Sequence, residues 1–120
     1  MGDISMIKRK EQFQTEIYDK CCGGEGRTAV TDLLKSGDLY AGAKLIAHAR
    51  MEPGDSIGWH VHEGEMEAYI VLNGEGVFND NGAEHRVYPM DVTLTYSGEG
   101  HAIRPGDDHT LEILAVILSK

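Results

Sequence analysis

A chain of 120 residues with 41% hydrophobic and 26% charged side chains has room for one domain around one core, not for a separate catalytic partner domain. Twenty acidic residues against eleven basic ones give a formal charge of −9, so neither nucleic acid nor an anionic membrane surface is an expected partner. The dense basic run Lys8-Arg9-Lys10 is diluted by Glu11 and Glu16, and the longest apolar stretch, Ile113 to Leu118, has six residues against the roughly 20 that span a bilayer.

The first residues carry no charged-then-apolar targeting pattern. Met1-Gly2 is followed at position 6 by Met rather than Ser or Thr, so the acylation motif fails and a cytoplasmic location is expected. Residues 1–39 read as an arm, with scattered Ile4, Ile7, Phe13 and Ile17 and a break at Gly23-Gly24-Glu25-Gly26. Within it, Val30 to Lys35 fits either a strand or a helical turn. Cys21 and Cys22 are adjacent and cannot normally reach relaxed disulfide geometry, and no second pair or histidine lies at zinc-site spacing. They read as reduced thiols in a turn.

Residues 40–120 carry the pattern of a barrel. Ala43, Leu45, Ala47, Ala49 and Met51 alternate with Lys44, Ile46, His48 and Arg50, which predicts a strand with one buried and one wetter face. After the turn Glu52-Pro53-Gly54-Asp55, strands are expected over Ile57 to His62 and Met66 to Leu72, joined by a short reversal. Asn73-Gly74 is a turn of the kind favoured in hairpins, and Asn81-Gly82 joins Glu75–Asn79 to Ala83–Tyr88 as the strongest hairpin signal in the chain. Asp91–Tyr96, His101–Arg104 and Thr110–Leu118 complete about eight short strands with no amphipathic helix between them, which predicts an antiparallel all-β sandwich or barrel.

His60 and His62 are two residues apart on an expected strand, so both imidazoles leave the same face. A hairpin reversal over residues 63–66 is expected to bring Glu67 back beside them on the adjacent strand, with Tyr69 and Val71 continuing the inward wall. His101, starting a strand after a glycine-bracketed loop, supplies a third imidazole. Three histidines and one carboxylate suit one divalent transition metal, Mn(II), Fe(II), Ni(II) or Zn(II). The alternative is a solvated polar strand edge, which would have no need of two histidines facing a carboxylate.

The residues Gly54, His60, His62, Glu67 and Gly74 resemble, at every position and spacing, the first signature motif of the cupin superfamily. Gly98-Glu99-Gly100-His101 is similar to the second, with Met90 where a glycine is usual, Tyr96 where a proline is usual and Pro105 where asparagine is common. These departures concern turns rather than the ligand. The resemblance covers about residues 40–118 and implies a double-stranded β-helix, or jelly-roll barrel, with the metal inside. It also implies a homodimer whose N-terminal strands pair across the interface.

Other polar residues read as structural. His48 and Arg50 belong to the wetter face with Lys44; His85 beside Arg86 is expected to be solvated; His109 follows Asp107-Asp108 in a loop. Glu63 and Glu65 are expected to point outward from the reversal. Trp59 and Val61, with opposite parity to the histidines, are expected to pack between sheets or across a dimer contact. Tyr96 is expected near the barrel mouth. Arg104 is the best candidate clamp for a substrate, although the parity of its strand points it outward. The expected function is a metal-dependent enzyme on a small polar molecule, with the reaction type open among dioxygenase, isomerase and decarboxylase. The alternative is a non-catalytic, metal-dependent module binding a sugar or carboxylate.

Overall fold

A computed structural model describes residues 6–120; Ile4 and the Met1-Gly2 opening lie outside the described residues. Ten strands follow one another with only short 3-10 turns between them: β1 (Thr15–Asp19), β2 (Arg27–Lys35), β3 (Ala43–Met51), β4 (Ile57–Val61), β5 (Glu65–Asn73), β6 (Gly76–Asp80), β7 (Ala83–Val87), β8 (Val92–Thr95), β9 (Gly100–Pro105) and β10 (Leu111–Ser119). They form two antiparallel sheets that face each other. The larger has the order β1-β2-β3-β10-β5-β8 and the smaller β4-β9-β6-β7. This is the all-β jelly-roll barrel that the sequence predicts. Among the described residues no helix is long and apolar enough to cross a membrane.

Alternation sets the inner faces. Ala47, Ala49 and Met51 on β3, Tyr69 and Val71 on β5, and Leu111, Ile113 and Ala115 on β10 are all buried, and Ile57, Phe78, Val87 and Ile103 meet them from the smaller sheet. Val30–Lys35, open between strand and helical turn from sequence, is strand: it continues β2, whose Thr28 and Val30 pair in register with Met51 and Ala49 of β3. β1 extends the sheet by one further strand.

Two turns separate strand pairing from sheet crossing. At Asn81-Gly82 both residues have positive φ, 50° and 102°, and β6 and β7 pair directly across them as a hairpin. Asn73-Gly74 also turns tightly, with Gly74 at φ 81°, but it carries the chain from β5 in one sheet to β6 in the other. A Cβ on Gly74 would run into the Thr110 carbonyl, so the crossing is packed as well as bent.

The same distinction corrects the expected hairpin over residues 63–66. β4 and β5 do not pair: β4 lies beside β9, with His60 opposite His101, while β5 lies between β10 and β8. Backbone bonds between His62 and both Gly98 and Glu99 hold the chain to the β8–β9 loop as it leaves the smaller sheet. Glu67 therefore faces the histidines across the barrel interior. Trp59 and Val61 are each 48% exposed on the outer face of the smaller sheet, so they do not pack between sheets. A Cβ at Gly100 would strike the Trp59 ring, and the indole covers that glycine.

Candidate metal centre

His60 and His101 come from cross-strand partner positions in β4 and β9, His62 lies just beyond β4, and Glu67 projects from β5 in the opposite sheet. The side-chain atoms these four residues offer lie within 4.8 Å of one another. His101 Nε2 is 3.0 Å from His60 Nε2 and 3.2 Å from His62 Nε2, while Glu67 Oε1 is 2.8 Å from His62 Nε2 and 3.1 Å from His101 Nε2. Atoms bound to one ion by bonds of about 2.0–2.2 Å sit about 2.8–3.6 Å apart at right-angled to tetrahedral spacing, so the cluster has the size of one coordination sphere. His62, Glu67 and His101 are buried, and His60 is partly exposed.

The outer ring nitrogens explain why the inner ones converge. His60 Nδ1–H donates to the Gly58 carbonyl at 2.8 Å, and a carbonyl can only accept. His62 Nδ1–H donates to Glu65 Oε2 at 2.7 Å. His101 Nδ1 lies 2.8 Å from the Thr95 hydroxyl. With the Nδ1 protons of His60 and His62 so engaged, each neutral ring turns a lone pair on Nε2 toward the centre, where Glu67 adds only acceptor oxygens. Such a centre is satisfied by protons or by a metal ion.

Without an ion, electrostatics favour a proton on His60 beside an ionised Glu67. Burial opposes charge on Glu67, but His101 at 3.1 Å and His60 at 3.8 Å outweigh it and hold the carboxyl down to about 2. The Glu67 carboxylate, 3.8 Å away, raises His60 above its usual value, whereas burial, the largest influence on His101, lowers that ring. Tyr69 stacks on His101 with centroids 4.8 Å apart and planes at 9°, its hydroxyl 3.4 Å from Nε2. Full burial pushes its pKa well up, so it stays a neutral hydroxyl.

Two features differ from the expectations. Glu63 is exposed as expected, but Glu65 turns inward: one oxygen bonds His62 and the other meets Lys44 Nζ at 2.7 Å. Cys21 and Cys22 do occupy a turn, Cys21–Gly23, but it packs against β4 and forms part of the wall of the site's cavity. Gly24 and Gly58 meet there so closely that a Cβ on either would strike the other's backbone neighbourhood. The cavity holds about 240 Å³, with Leu45, Ala47, Ala115 and Ile117 on its apolar side. Nothing local in the sequence connects the cysteines with His60, some 40 residues away.

The remaining residues lie elsewhere. His48 bonds Glu112 at 2.9 Å outside the barrel, His85 is exposed, and His109 sits 3.7 Å from Glu75 in its loop. Arg104 points outward, as its parity requires, and pairs with Glu84 at 2.6 Å; it does not clamp a ligand in the cavity. Tyr96 is 53% exposed.

A family model described as a cupin domain matches residues 47–117. The oxalate-binding protein of Thermotoga maritima is 40% identical over 113 residues, covering 94% of this chain and 93% of that protein. The crystal structure of a predicted oxalate decarboxylase from Thermotoga maritima superposes with a TM-score of 0.91 at 39% identity, over 96% of this chain and all of that one. A cupin-2 domain from Rhodospirillum rubrum, 16% identical over all of this chain and 78% of that one, shares the fold with a TM-score of 0.79.

Proposed function

The chain belongs to the cupin family, and on that premise we propose that it holds one divalent transition metal and uses it to bind a small carboxylate. His60, His62, Glu67 and His101 are the ligands in this reading, and Mn(II), Fe(II), Ni(II) and Zn(II) are the ions such a donor set suits. The observation that carries it is the convergence of acceptor atoms beneath an apolar cavity, with outer nitrogens anchored so that lone pairs face inward. The oxalate-binding relative supports a carboxylate as the ligand class.

The bound ion would supply positive charge that a cavity without lysine or arginine otherwise lacks. The chain's own contributions are fixed. Tyr69 offers a neutral O–H to an oxygen placed among the ligand atoms, Glu65 orients His62, and an aliphatic wall lines one side of the open pocket. Apart from the ligands, the lining holds only Tyr69 and the two thiols as ionisable groups, so no separate carboxylate or amine faces a bound acid. That favours binding over turnover. The Tyr69 hydroxyl, a proton donor beside the centre, favours a metal-dependent enzyme as the second reading.

The test is direct. Protein purified without chelator should carry close to one metal per chain by elemental analysis. His60→Ala and His101→Ala should each lose it, and His85→Ala should retain it. Calorimetry should show oxalate binding to loaded but not to stripped protein; equal binding to both would refute the metal's role.

We further propose that the protein is a homodimer. Leu72, Val92, Leu94 and Leu118 are each 40% or more exposed and share the outer face of β5, β8 and β10, an apolar surface that a second copy would cover.

A further inference from the structure

The wall above the metal centre is built by two neighbouring strands. Leu45, Ala47 and Ala49 on β3 and Ile113, Ala115 and Ile117 on β10 turn inward, and Ala47 stands opposite Ala115 in register. Two alanines side by side leave a hollow between larger aliphatic neighbours. The cysteine turn closes another side. The pocket is open on one side, and its about 240 Å³ equals the liquid volume of about eight water molecules, more than a ligand that is nothing but two carboxylates would fill.

Charge points the same way. A divalent ion with Glu67 ionised and three neutral imidazoles leaves the centre with one net positive charge. One carboxylate neutralises it. A dianion leaves one negative charge against aliphatic side chains, with no cation in the lining to balance it, and burying an unpaired charge is strongly unfavourable. Lys44, the amine tied into the site's periphery, is already engaged by Glu65. The chain's net charge of −9 disfavours a second negative charge further.

Resting on the metal-anchored carboxylate reading, we propose that the preferred ligand is a monocarboxylic acid with an oxygen on the adjacent carbon, a 2-oxo or 2-hydroxy acid, bearing a short apolar side chain. The ion and Tyr69 take the oxygens, and the Ala47–Ala115 hollow takes the side chain.

The experiment titrates Mn(II)-loaded protein with pyruvate, 2-oxobutanoate and 2-oxopentanoate, and separately with oxalate, by calorimetry. The three oxo acids present the same oxygens to the ion, so differences between them report the wall. Affinity should rise about three- to fourfold for each added carbon that becomes buried. A flat or falling series alongside measurable oxalate binding overturns this proposal and leaves the carboxylate reading standing; no binding of any acid by loaded protein overturns both. Ala47→Leu, which fills the hollow, should flatten the series. Leu45→Arg, at a half-buried position that tolerates a charge, should shift preference toward oxalate by tenfold or more. If either variant fails to fold, the series on the unaltered protein still decides.

Discussion

Replacing Glu65 by alanine should weaken metal binding about 10- to 100-fold, although Glu65 is not one of the four convergent residues. Its Oε2 accepts the His62 Nδ1 proton at 2.7 Å, and its side chain is only 18% exposed. The Lys44 ammonium, 2.7 Å from the other oxygen, is the main reason its pKa lies below the usual carboxylate value, so it is ionised at neutral pH. An ionised acceptor on a ligating imidazole fixes the tautomer, orients the ring and makes Nε2 more basic. Loss of such a partner costs about 10- to 100-fold in affinity, or about 1.4–2.7 kcal/mol. That range agrees with about 1.5–3 kcal/mol for a hydrogen bond to a charged group. Glu65→Gln keeps an acceptor but not the charge, and should recover part of the loss. Lys44→Met breaks an ion pair whose lysine is 51% exposed, and should cost less than about fivefold. Competition with a coloured chelator at fixed pH measures all three. The absorption spectrum of the Co(II) form should also move in Glu65→Ala. An affinity for Glu65→Ala within twofold of the parent would refute the reasoning.

The charges on His60 and Glu67 predict opposite pH responses with and without metal. His60 is raised above 6.5, so its contribution to the metal-free fold is complete below pH 6.5 and is lost as pH rises through the folded value. Glu67 is lowered from 4.5 to about 2, so its contribution is complete above pH 4.5 and is lost as pH falls toward 2. His101 is lowered, so its contribution falls as pH drops below 6.5 and opposes that of His60. Urea midpoints of stripped protein should therefore be highest near pH 6.5, and loaded protein should stay stable above it; a flat profile for stripped protein from pH 5.5 to 8.5 would contradict this. Metal affinity should begin to fall above pH 6.5 on acidification, because the proton His60 takes up displaces the ion. For the dimer, Leu94→Lys should shift the mass in solution from two chains to one by light scattering, and an unchanged mass would exclude this face.

Strand identity was legible because it is a local property. The alternation of β3 and the Asn81-Gly82 turn needed only neighbouring residues, and the parity of His60 with His62 and of Glu67 with Tyr69 put each set on an inner face. Which sheet owned that face was not legible. The six residues between His62 and Tyr69, which include the Gly64 turn, φ 73°, look alike whether the chain folds back as a hairpin or crosses the barrel. The decision is made by partners far away in sequence: β9 beside β4 and β10 beside β5. The outward parity of Trp59 on β4 rules out packing between the sheets and leaves the dimer contact as the other expectation. Glu65 was misassigned for a related reason. A residue in a presumed turn has no reliable parity, whereas as the first residue of β5 it shares the inward parity of Glu67.

The corrected topology changes what the metal does mechanically. Imidazoles and carboxylate on one hairpin would place the ion on a single sheet, and its loss would leave the barrel intact. Here three imidazoles come from the smaller sheet or its edge and the carboxylate from the larger one, whose inner faces pack about 10 Å apart. The ion would join the sheets beside the wall formed by Ala47 and Ala115. Small wall residues give up packing to make a cavity, and a cross-sheet ligand set returns cohesion at that position. Metal binding would then add to the folding free energy beside the cavity. A larger side chain in the hollow and a bound ion are, on this argument, alternative ways of holding the same end of the barrel together.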